Sequence, residues 1–290
     1  MGFEETFPAW MAGTKLVIDP AAVPRCLDHP ICSGVLWQGA ADAFLMEIPG
    51  AAHVLVTSGG FALSLQPDAV LSHVAPVLRR TPLAAWCWLN GYYACQGVAL
   101  AGPDGAVAIL GAAGVGKSTL AALLMRQGFR LLCDDLVPFS WAGDGSLQVM
   151  PVWPELVLWP GGEDDLPSWL VRRRENPFDV PYYTVAPERF EAAPVALARV
   201  YHLQHVQKCA EMEEKITSGL DGFVAGKGGL VPYHRVVAYA LRTQGLALRF
   251  YGAVVNRAPI KVFTLPMVDI SELDAVAAKI ESDCGEGSHG

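Results

Sequence analysis

The chain has 290 residues, 52% hydrophobic and 17% charged, which suits one large or two modest domains and excludes a disordered polymer. Lys and Arg number 21 against 29 Asp and Glu, and the resulting charge of −8 disfavours nucleic acid as the main partner. Seven cysteines, an odd number with no CxxC pair, argue against a disulfide framework or a zinc cluster and fit a reducing cytosol.

The opening MGFEETFPAW lacks the basic start and apolar run of a signal peptide, so a cytoplasmic location is expected. From Lys15 to Leu65, short β-rich runs (LVID, SGVLW, FLMEI, HVLVT, FALSL) are broken by Pro30, Pro49-Gly50 and Gly59-Gly60. Val70 to Arg80 has helical spacing, with Pro76 against it. The uncharged stretch from Thr81 to Pro103 is long enough to span a bilayer. Its Asn90, Gln96 and three glycines instead read as a buried helix followed by a strand, and no membrane partner is expected. A small α+β module is therefore expected over 1–90, a second domain over 91–283 and a disordered tail over 284–290.

Gly97–Ala101 and Ala106–Leu110 form a strand pair around the turn Gly102-Pro-Asp-Gly105. A glycine-rich loop follows, then a helix from Ser118 to Gln127 closed by Gly128, and a strand from Phe129 to Cys133. Later elements are a strand over Val195–Leu203, helices near His234–Thr243 and Ser271–Glu281, and a strand over Ile260–Leu265.

The loop Gly111-Ala112-Ala113-Gly114-Val115-Gly116-Lys117-Ser118, followed by Thr119, fits GxxxxGK[ST] between a strand and a helix. Glycines let the backbone take positive φ and approach a ligand closely, so successive N–H groups can cradle phosphate oxygens. Lys117 supplies a mobile charge for the β- and γ-phosphates, Ser118 a hydroxyl for Mg²⁺, and the helix its positive end. The pattern points to ATP and Mg²⁺ as cofactors. Asp134 and Asp135 end the next strand, where α/β sheets collect ligands. One acid can help hold the metal and the other can accept a proton from an attacking hydroxyl.

The stretch Gln96–Phe139 resembles the HPr kinase/phosphorylase-like P-loop kinases, whose core is related to phosphoenolpyruvate carboxykinase. The resemblance rests on Gly111–Ser118, on Gly128-Phe-Arg-Leu-Leu and on Asp134-Asp135. It implies an α/β P-loop fold with a mixed β-sheet core. It also implies phosphate contact by Lys117, metal binding by Ser118 and proton acceptance by Asp135, with Asp134 supporting or aiding the metal. Trp153-Pro-Glu-Leu-Val-Leu-Trp159-Pro160 is similar to a segment of HPr-kinase-related proteins in bacterial peptide-modification clusters, some of which phosphorylate a serine of a lasso-peptide precursor.

Gln96 stands where bifunctional members carry a catalytic histidine, and glutamine exchanges no proton near neutral pH. A one-directional serine kinase acting on a peptide or small protein is therefore expected. HPr itself as substrate and a non-catalytic nucleotide-gated module are the alternatives, and homo-oligomerisation is left open. The Glu-Xaa-Arg-Gly metal signature of the bifunctional members is not recognisable, and Glu155 lies in roughly its region. Arg172, Arg173 and Arg174, the basic cluster, are candidates for stabilising the transferring phosphoryl group. Arg189 and Arg199 are weaker candidates. His202 and His205 read as core or surface histidines, Trp153 and Trp159 as core or groove residues, and Gly222–Gly229 as a connection.

Overall fold

A computed structural model describes residues 7–69, 71–158, 167–172, 181–205, 212–217, 234–257, 260–265 and 271–285. The chain divides into two units, Met1–Ala94 with Pro232–Arg249, and Cys95–Val231 with Phe250–Gly290. It is mixed α/β throughout. No helix among the described residues is long and apolar enough to cross a membrane.

In the first unit, β1 (Lys15–Ile18), β2 (Cys32–Ser33), β3 (Trp37–Gly39), β4 (Ala43–Ile48), β5 (Ala52–Thr57) and β6 (Gly60–Leu65) form one sheet in the order β1-β6-β5-β4-β3-β2. Strands β2 to β6 run as an antiparallel meander and β1 joins β6 in parallel. Ala52, Val54 and Val56 of β5 are buried while His53, Leu55 and Thr57 are half-exposed, the alternation of a sheet covered on one face. Helix α1 (Leu71–Leu78) contains Pro76, and α2 (Thr81–Leu89) buries every residue from Pro82 to Trp88. The SGVLW run is not continuous strand. Gly34 to Leu36 form the turn between β2 and β3, closed by Gly34 N–H donating to Trp37 O at 2.8 Å, and Val35 stands 99% exposed.

The second unit begins with the hairpin of β7 (Tyr93–Gly102) and β8 (Gly105–Gly111), in which Gly102 faces Gly105. Helix α3 (Lys117–Arg126) follows the glycine loop, and β9 runs from Arg130 to Trp141. Next come β10 (Leu147–Val149), β11 (Glu155–Val157), β12 (Leu170–Arg172), β13 (Tyr182–Val185), β14 (Val195–His205) and β15 (Glu213–Thr217). Helices α4 (Arg235–Ala240) and α5 (Gln244–Arg257), strand β16 (Ile260–Leu265) and helix α6 (Ser271–Gly285) complete the described chain.

The seven-stranded mixed sheet has the order β10-β9-β7-β8-β14-β16-β15, and β10 also pairs with β14. Val98, Leu100, Val107, Ile109, Tyr201, Leu203 and Phe263 face a core shared with Leu120 and Leu124 of α3 and with Val276 and Ile280 of α6. Ala99, Ala108, Leu110 and Val200, on the other side of the same strands, are buried as well. That explains why β7 and β8 read as unbroken apolar runs rather than as alternating ones.

Three expectations change. The sequence reading ends the third strand of the loop region at Asp134-Asp135, but β9 carries on past both aspartates to Trp141. Residues 232–249, placed there in the later domain, group with the first unit. The cause is local: a Cβ on Gly39 would come within 2.6 Å of Ala240 Cβ, and the His234 ring meets Trp37 edge-on at 5.8 Å. Cys284, expected in a disordered tail, is helical and 1% exposed in the core at the end of α6. Residues 286–290 lie outside the described residues.

Candidate functional site

β8 delivers the loop. A Cβ at Gly97 would come within 2.7 Å of Ile109 O, so glycine there lets the hairpin close, and Gln96 is the residue before it on β7. Gly114 (φ 79°) and Gly116 (φ 93°) occupy the left-handed region that side chains disfavour. Nothing lies within 4 Å of where a Gly114 side chain would begin, so conformation alone demands glycine. At Gly116 a Cβ would also sit 3.0 Å from Leu273 Cδ1 of α6. Ala112, Ala113 and Gly114 are exposed, while Val115 is tucked into the core. Gly116 is the N-cap of α3 and offers no side-chain acceptor, so that cap leaves first-turn N–H groups of the helix open to an anion.

Lys117 is only 7% exposed and its Nζ donates to Ala112 O at 2.6 Å, within the loop itself. Burial holds its ammonium below the ordinary lysine value, and the charges of Asp134 and Asp135 work the other way. Ser118 Oγ donates to Asp134 Oδ1 at 2.9 Å, and Val157 N–H donates to Asp134 Oδ2 at 2.9 Å. Burial pushes the Asp134 carboxyl up to about 6, although both hydrogen bonds favour its charged form. Asp135 follows with φ 68°, one of two non-glycine residues in that region among those described. Asp and Asn tolerate it better than most residues, and it breaks the strand's alternation where the two acids sit. Thr119, in the first turn of α3, is half-buried.

Lys117, Ser118, Asp134 and Asp135 are thus brought together although 16 residues separate Ser118 from Asp134. Glu155 lies two residues before Val157 on β11 and pairs with Thr184. Arg172 is exposed on β12, across β13 from β11 and level with Leu156. Arg173, Arg174, Trp159, Pro160 and the Gly222–Gly229 run lie outside the described residues. Trp153 is half-buried just ahead of β11.

Arg189 donates to Met125 O at 3.0 Å, at the carboxyl end of a helix about 15 Å long, away from Ser118. Arg199 bonds Asp104 at 3.1 Å and the Asp283 carbonyl at 2.5 Å, so both arginines hold structure together. Sequence reading missed the Val157 backbone donor and the Leu273 contact, neither of which has a local signature. It also set aside His202, which proves to be buried within electrostatic reach of Lys117.

No family model and no curated protein matches the chain. Among solved structures the chain is similar to the Hpr(Ser) kinase/phosphatase from Coxiella burnetii. The two are 11% identical, 68% of this chain and 99% of that chain are covered, and the TM-score is 0.36. At that level of likeness, function has to be argued from the chain's own residues.

Proposed function

We propose that the chain is an ATP-dependent kinase that passes the γ-phosphoryl group to a serine hydroxyl of a peptide or small protein, with a ribosomal precursor peptide of the lasso type as the substrate expected from the sequence resemblance. The observation that carries the reading is the Ser118–Asp134 hydrogen bond at 2.9 Å beside a buried lysine and a helix start with no side-chain cap. Hard oxygen ligands of this kind suit Mg²⁺, which keeps several waters and takes one or two protein oxygens together with phosphate. The residues present therefore fit Mg·ATP, which when bound supplies the transferable phosphoryl group.

The chain's own groups divide the remaining work. The loop and first-turn N–H groups would bind phosphate oxygens, and Lys117 Nζ, which donates to the Ala112 carbonyl, would turn to them. Ser118 Oγ and Asp134 Oδ1 would hold the metal, and the Val157 N–H keeps Asp134 oriented from its other oxygen. Asp135 accepts the proton of the incoming serine hydroxyl. Phosphoryl transfer asks mainly for positioning and charge stabilisation, which these few groups supply.

The test is direct. With ATP, Mg²⁺ and a candidate precursor peptide, the peptide should gain about 80 Da by mass spectrometry, one phosphoryl group. Asp135→Asn should abolish the gain while nucleotide affinity stays within about twofold, since proton acceptance and phosphate binding use different atoms. A peptide that gains no mass with the wild-type protein contradicts the reading.

A further inference from the structure

The edge of the sheet beside the loop holds one polar residue to which the reading above gives no task. β14 runs parallel to β8 with His202 level with Leu110 and Leu203 level with Gly111, so the carboxyl end of β14 reaches the loop's first residue. The Leu203 carbonyl oxygen fills the space that a side chain at Gly111 would need. Tyr201 and Leu203 face the core beneath α3 and α6, and strand alternation therefore aims His202 at the opposite side. There it is 8% exposed, and Lys117, His202 and Thr243 are the buried polar or charged residues among those described. Two residues further along that side, Gln204 Nε2 donates to Thr264 Oγ1 at 2.9 Å.

A nearly buried imidazole needs a reason. Among the described residues no hydrogen bond satisfies its ring, although its strand neighbours on both sides are fixed by backbone pairing. Burial and the Lys117 ammonium both hold it below the ordinary histidine value, so near neutral pH it carries one N–H donor and no charge. In a glycine-loop site the backbone cradles the inner phosphates and the lysine reaches the outer ones, so a donor near the lysine is nearest the terminal phosphate.

We infer that His202 donates a hydrogen bond to the terminal phosphoryl group of a bound nucleoside triphosphate and so sets the preference for triphosphate over diphosphate. This rests on the nucleotide reading above and adds to it a residue on the other side of the sheet from α3. A neutral donor contacts the phosphate without placing a second positive charge against Lys117.

Calorimetric titration of the full chain with Mg·AMP-PNP and with Mg·ADP tests this. Wild-type protein should bind both. His202→Ala should weaken the triphosphate analogue about 10-fold or more, as expected for a lost hydrogen bond to a charged group, with Mg·ADP held within about twofold. His202→Gln, which keeps an N–H donor, should recover part of the loss. Intact Mg·ADP binding in each variant reports that the loop has folded. Equal weakening of both nucleotides, or no change in either, overturns the role of His202 and leaves the nucleotide site standing. Wild-type protein that binds neither nucleotide overturns both readings.

Discussion

Asp134 carries an electrostatic cost that its two hydrogen bonds do not remove. Burial raises its carboxyl from the ordinary 3.8 to about 6. Between those values the folded state holds a proton that the unfolded chain has released, so stability falls as pH rises from about 4 to about 6. The expected outcome for nucleotide-free protein is that Asp134→Asn matches wild type near pH 4 and exceeds it at pH 7.5, by about 1–3 kcal/mol in urea unfolding. Asparagine can still accept from Val157 N–H and donate to Ser118 Oγ. A variant no more stable than wild type at pH 7.5 contradicts the burial argument. Asp135 pays in backbone conformation instead, with φ 68°. Asp135→Gly should raise stability by up to about 1 kcal/mol while removing phosphoryl transfer, an exchange of fold for function that thermal melting and mass spectrometry would show together. A fall in melting temperature would count against strain at this position.

Among elements, the loop and α3 were legible because their signal is local: glycines at fixed offsets, a lysine, a hydroxyl and an apolar helix face. Strand β9 was not. Two adjacent acids after Leu-Leu-Cys read as a strand end, because the Asp134 partners at Ser118 and Val157 lie far away in sequence. His202 reads as a core histidine and is buried, but its nearness to Lys117 was not legible, since only the pairing of β14 with β8 brings it there. The contact between α6 and the loop is likewise non-local. Leu273 is 5% exposed and rests on Gly116. Leu273→Ala should cost about 2–4 kcal/mol through the cavity it leaves, and should also weaken nucleotide binding by loosening the loop's last turn. Unchanged nucleotide affinity in a folded Leu273→Ala protein would mean that α6 does not brace the loop. At its other end α6 is anchored by Asp283, which accepts from Tyr201 OH at 3.0 Å and Lys261 Nζ at 2.6 Å.

For the whole molecule, neither composition nor the change of pattern near residue 90 shows that residues 232–249 group with the first unit. That return depends on Gly39 leaving room for Ala240, a fit invisible along the chain. Hydrogen exchange reads it out: amides of Val237 to Ala240 should exchange with the opening of β3 to β6, not with that of β14 and β16. Exchange locked to β14 and β16 would contradict the division. On the proposed reading, a nucleoside triphosphate lies with its terminal phosphoryl group between Lys117 and the pair of acids. The measurement that tests it most directly is a crystal structure with Mg·AMP-PNP. The expected result is phosphate oxygen about 3 Å from Lys117 Nζ, with the metal on Ser118 Oγ and Asp134 and the Ala112 carbonyl released. A nucleotide bound elsewhere, or a metal held away from Ser118 and Asp134, would contradict it.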